Sequence, residues 1–161
     1  MLWAEFERAV PELASLGRAR FERDQLALVG TLRADGSPRI SPVAPYFALG
    51  HLLLGMEWPT NKARDLLRDP RCTLHNVVSD PDGADGEFKL YGQALLVENE
   101  AIGKGPSEAW WHDRRPESYR VFSMDIGSAA FIGWDIDADQ MHLMRWSPAD
   151  GLSAVTQARL T

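Results

Sequence analysis

Trp58-Pro59-Thr60-Asn61-Lys62-Ala63-Arg64-Asp65-Leu66-Leu67-Arg68-Asp69-Pro70 follows directly on the apolar run Leu52-Leu53-Leu54-Gly55-Met56 and Glu57. The pair of segments predicts a buried strand that turns through a Pro-Thr-Asn-Lys corner into a short amphipathic helix. Proline is tolerated in a first helical turn because the N–H it lacks has no intrahelical partner there. The other free amides, the positive end of the helix dipole, the Thr60 hydroxyl and the Lys62 ammonium converge on one point. Such a corner suits a phosphate or another small anion.

The surrounding chain is acidic, with a formal net charge of -6 over 161 residues. That balance argues against a broad nucleic-acid surface and makes a phosphorylated small molecule the natural ligand of a local basic corner. An apolar content of 45% allows one sizeable core, so a single domain over residues 1–161 is expected. The lone Cys72 has no partner for an internal disulfide. No segment is long enough to cross a bilayer as an apolar helix, and the N-terminus lacks a secretory pattern. A cytoplasmic protein without a membrane partner is the expectation.

Apolar spacing predicts an N-terminal helix over about 2–20, broken or restarted at Pro11, and a barrel over about 24–147. Strands are expected near 26–32, 40–49, 52–57, 71–78, 87–97, 120–134 and 140–147. Ala34-Asp35-Gly36-Ser37 marks the first hairpin, and Gly92 a bulge or close backbone approach. Helices are expected near 60–69 and 99–118. Ser79 to Gly86 is a polar connector whose acidic cluster, Asp80 to Asp85, reads as a solvated loop, and the polar tail after Gly151 carries no assigned element. Many strands joined by short turns imply an antiparallel sheet closing on itself.

Asp35-Gly36-Ser37-Pro38-Arg39-Ile40-Ser41-Pro42-Val43, Thr60 to Leu66, Asp69-Pro70-Arg71-Cys72 and Leu90-Tyr91-Gly92-Gln93-Ala94 occur in an order and spacing that resembles the pyridoxamine 5′-phosphate oxidase-like family. The resemblance implies a mainly β fold with flanking helices, an antiparallel six-stranded split β-barrel of the FMN-binding type. It also implies a homodimer with flavin mononucleotide (FMN) in each of two interface clefts. Relatives use a deazaflavin (coenzyme F-420) or bind haem. By position, Thr60 and Lys62 match the groups that hold the flavin phosphate. Met56, Glu57 and Trp58 match the strand end beside the ribityl chain and ring, and Ser41, Pro42 and Val43 match a segment lining the ring. Trp146 is expected to approach a cofactor held mainly by the other subunit.

There are departures from the oxidase proper, which has an arginine where this chain has Ser41 and a glutamine where it has Glu87. Arg39 is the candidate for the missing positive charge. Arg145-Trp146-Ser147-Pro148 does not reproduce the oxidase's substrate motif, so vitamin B6 oxidation is not expected. The reading is an FMN-dependent oxidoreductase acting on a small-molecule substrate. Its alternatives are a deazaflavin-dependent reductase, drawing on Arg39, Lys62, Arg64 and Arg68 for an anionic tail, or a non-catalytic flavin- or haem-binding protein.

No acid, base or nucleophile stands out, which agrees with a cofactor that carries the chemistry itself. The four histidines, His51, His75, His112 and His142, are scattered without metal-ligand spacing. His75, on an apolar strand, reads as a core histidine, and Arg64 as a solvated helix residue. Trp58 suits either ring stacking or plain packing. Six tryptophans in so short a chain favour a buried interface.

Overall fold

A computed structural model describes residues 1–80, 83–111 and 116–158, with only the backbone of 106–111 and of Pro116. The first two helices are α1 (Trp3–Ala9) and α2 (Pro11–Asp24). They are separated at Val10, whose φ of -148° and ψ of 70° leave the helical region. Pro11 is the first residue of α2, where its missing N–H costs nothing. The helix then runs four residues past the expected end and stops at Gln25, which takes the left-handed φ of 50°.

The strands are β1 (Ala27–Leu32), β2 (Pro38–Ala48), β3 (His51–Glu57), β4 (Arg71–Asn76), β5 (Glu87–Leu96), β6 (Tyr119–Asp135), β7 (Gln140–Ser147) and β8 (Gly151–Ala158). The remaining helices are α3 (Asn61–Arg68), α4 (Glu100–Trp111) and a 3-10 turn, Pro116–Ser118. The strand order is β3-β2-β1-β4-β5-β6-β7-β8, every neighbour is antiparallel, and β3 also pairs with β6. Strands β1 to β6 therefore close a ring, and β7 and β8 extend the sheet beyond it. His112 lies outside the described residues, as do the side chains of Trp110 and Trp111.

Alternation along the strands sends every second side chain inward. Leu54, Met56, Leu74, Phe88, Leu90, Phe122 and Met124 fill the ring, and Trp3, Phe6, Leu13 and Phe21 enter the same core from the helices. Edge-on aromatic contacts join the layers: Phe21 with Phe88 at 5.7 Å and Phe6 with Trp146 at 5.1 Å between ring centroids. Each such pair contributes about 1 kcal/mol beyond its buried area.

Two expectations are corrected. The polar tail forms β8, which pairs with β7 from Ser147↔Gly151 to Gln140↔Ala158. Both of its faces are exposed, so no buried alternation marks it in the sequence. The acidic loop is also not simply solvated. Arg23 donates to Asp85 Oδ1 at 2.6 Å and Arg20 Nε to the Asp85 carbonyl at 2.7 Å, tying the loop to α2.

Gly92 sits where the β5–β6 register slips. A Cβ there would lie 2.0 Å from the Asp125 carbonyl oxygen, a backbone atom that cannot swing away. Gly92→Ala is therefore expected to cost about 3 kcal/mol. Urea denaturation checks this as a lower midpoint with an unchanged slope.

Candidate functional site

Helix α3 presents Ala63 and Leu66 to the core, which places Asp65 beside them at the inner edge of the helix. Its carboxylate is only 6% exposed. It accepts hydrogen bonds from Thr31 Oγ1 on β1 at 3.0 Å, from Arg39 Nε on β2 at 2.7 Å, and from Arg68 on the same helix at 3.2 Å. Burial alone would raise the Asp65 pKa; the bonds from Arg39, Thr31 and Arg68 outweigh it and hold the carboxyl below its ordinary value. This carboxylate fastens α3 to the sheet.

The first turn of α3 is thereby fixed in place. Thr60 is the extended residue before the helix, so Pro59 lies outside the helix rather than in its first turn. The Thr60 hydroxyl donates back to the Glu57 carbonyl at 2.8 Å and caps no amide. The first amides of α3, at Asn61, Lys62 and Ala63, have no carbonyl one turn behind them. Lys62 Nζ donates to the Pro42 carbonyl on β2. Burial lowers the Lys62 pKa, and the charge of Glu57 works in the opposite direction. A half-buried ammonium beside free helix amides is what an anion stabilises best.

The structure brings Pro42, Glu57, Thr60 and Lys62 together, with Arg39 joined to the same helix through Asp65. It does not bring out the side chains of Val43, Met56 or Trp146. These are 2%, 1% and 5% exposed in the single chain and belong to the core. Trp146 is occupied by Phe6 of its own chain. Ser41 alternates with Pro42 and shares the face of Arg39 and Val43. Trp58 packs against the core, with the Arg120 guanidinium 4.7 Å from its ring centroid. Arg120 also lines a cavity of about 720 Å³ between the end of β5, α4 and the start of β6, with Leu96, Val97, Tyr119 and Val121.

One part of the surface was missed from sequence. Pro42 pairs with Leu28, Leu28 with His75, and His75 with Lys89, forming a row across the outer face of β2, β1, β4 and β5. His75 is therefore outward and half-buried, not a core histidine. Strict alternation from the buried Cys72, Leu74 and Asn76 carries that information. Its Nε2 stands 3.7 Å from Glu87 Oε2, and Lys89 Nζ bonds the same oxygen. The Lys89 hydrogen bond lowers the Glu87 pKa against the opposing effect of burial. Cys72 is excluded as a nucleophile, because burial pushes its thiol up to about 12.

No protein-family model matches the chain, and no curated protein does. Solved structures do. A candidate pyridoxamine 5′-phosphate oxidase from Listeria innocua superposes with a TM-score of 0.60 at 18% identity, over 73% of this chain and 96% of that one. A pyridoxamine 5′-phosphate oxidase-related, FMN-binding protein from Nostoc punctiforme gives 0.62 at 10% identity, over 96% and 97%. A haem-binding protein from Mycobacterium smegmatis gives 0.58 at 13% identity, over 91% and 90%. The chain has the pyridoxamine 5′-phosphate oxidase-like split-barrel fold, a fold found in proteins described as binding different groups.

Replacing Asp65 with Asn leaves Arg39 and Arg68 without their counter-charge and should cost about 3 kcal/mol at neutral pH. The folded pKa lies below the ordinary 3.8. The pH-linked part of this stabilisation is thus fully present above that value and is lost as pH falls through the lower folded one. Denaturation curves of the two proteins should diverge at pH 7 and converge in acid.

Proposed function

We propose that this chain is a flavoprotein of the pyridoxamine 5′-phosphate oxidase-like family, binding FMN between two copies of itself and acting as an oxidoreductase on a small molecule. The observation that carries the reading is the Lys62 ammonium, half-buried against the Pro42 carbonyl at the N-terminal turn of α3. Amides and ammonium there fit the chemistry of a phosphate monoester.

Asn61, Lys62 and Ala63 would hold the phosphate, and the row Pro42–Leu28–His75 would carry the ring. Bound flavin supplies hydride and electron transfer. The chain's own task is to orient the ring, set the charge around it and keep water away. Lys62 and Lys89 place positive groups along the row, with the His75 ring between them and Glu87 beside the His75 and Lys89 side chains. This arrangement suits a ring that gains negative charge on reduction.

A second copy would supply the cover. The outer face carries Leu28, Ile40, Tyr91, Leu95 and Val155, each at least one-third exposed, and Ile40 is 74% exposed. A second copy would cover these side chains. The Arg120-lined cavity, reached from the Trp58 end of β3, is the candidate substrate space.

A haem-binding reading is favoured by the outward His75, whose imidazole could ligate iron, and by the haem-binding protein that shares the fold. The visible spectrum of the purified protein separates the two: flavin bands for the first reading, a Soret band for the second. If FMN is the ligand, Lys62→Ala removes one charge-assisted hydrogen bond of about 1.5–3 kcal/mol. Affinity should then fall by about one to two orders of magnitude in a flavin-fluorescence titration. Equal affinity in variant and wild type would remove Lys62 from the site.

A further inference from the structure

The face of α3 turned away from Lys62 borders a second basic feature. Asn61, Arg64, Asp65 and Arg68 recur at helical spacing and, with Arg33 and Arg39, line a groove of about 360 Å³ beside the β1–β2 hairpin. Its floor is built rather than loose. Asp65 holds the guanidiniums of Arg39 and Arg68, and Arg68 also donates to the Leu32 carbonyl. Arg33 and Arg64 stand at the rim, both exposed, and among the described residues their side chains make no hydrogen bond or ion pair. The other acid on the groove, Asp35, is engaged by the Ser37 amide at 2.9 Å and hydroxyl at 2.6 Å.

Four guanidiniums against two carboxylates leave two positive charges in excess, on a chain whose total is -6. Like charges gathered at one concave place repel one another, and a solvated surface would spread them. Guanidinium forks match phosphate and carboxylate oxygens in pairs. The acidic total and the concave shape disfavour a nucleic-acid backbone, which needs an extended basic surface. The groove is also larger than a single phosphate requires.

We infer that this arginine groove is an anion-binding site separate from the Lys62 corner, taking a small multivalent anion such as a diphosphate or a di- or tricarboxylate. Arg33 and Arg64 close on the ligand, while Arg39 and Arg68 are held ready by Asp65. The inference does not depend on the flavin reading: Lys62 and the β2–β1–β4 row take no part in it, and Asn61, which borders the groove, enters the proposed phosphate corner through its amide alone.

Calorimetric titration of inorganic pyrophosphate into the 161-residue chain at low ionic strength tests it. Saturable binding to the wild type is expected, weakened at least about tenfold in Arg33→Ala/Arg64→Ala and reduced by added salt. FMN affinity of that variant should be unchanged. Both side chains are exposed and, among the described residues, make no hydrogen bond, Arg33 interacting with Asp35 only through its charge, so the fold should persist by circular dichroism; Arg64→Glu alone provides an independent variant with the same expected loss. Absence of saturable binding to the wild type, or equal binding by the variants, would overturn the proposal. Displacement of pyrophosphate by FMN would do so as well, since it would make the groove part of the cofactor site.

Discussion

The Asp65 carboxylate is the constraint on which the site depends. It is nearly inaccessible to water, yet it stays charged because Thr31, Arg39 and Arg68 each donate to it from a different direction. A buried charge of this kind adds little net stability compared with apolar packing, but removing one partner is costly. Its consequence is positional. The three donors come from β1, β2 and α3, so the helix cannot rotate or slide without breaking one of them. The amides at its start, the Lys62 ammonium and the arginines on its other face all inherit that fixed position.

The ring of strands gives the corner its second half. Because β2, β1, β4 and β5 are neighbours, Pro42, Leu28, His75 and Lys89 fall in one line across the outer face. The same face bears exposed apolar side chains that a single chain leaves uncovered. On the proposed reading, this row, with the Lys62 corner at one end and Glu87 near the other, would form one wall of a cleft. A second copy would be the most economical other wall, because identical surfaces meet about a two-fold axis.

Most of the architecture was legible in the sequence, for definite reasons. The apolar runs of β1, β3 and β6, and the Asp-Gly turn before β2, carry strong local signals that tertiary packing did not override. The Pro-Thr-Asn-Lys corner was legible because a helix start has its own chemistry. What escaped depends on neighbours. β8 has no buried face, so its strand state comes from pairing with β7 alone. The inward turn of Val43, Met56 and Trp146 follows from strand phase, and family position says nothing of phase. The outward place of His75 and the meeting of Arg33 with the arginines of α3 escaped because residues far apart in the chain come together there only through sheet order.

The most direct test of the central claim is a crystal structure grown with excess FMN. The phosphate is expected at the amides of Asn61, Lys62 and Ala63 with Lys62 Nζ in contact, and the ring along Pro42, Leu28 and His75. Flavin bound elsewhere on the barrel, or a corner that holds only water at saturating FMN, would contradict it.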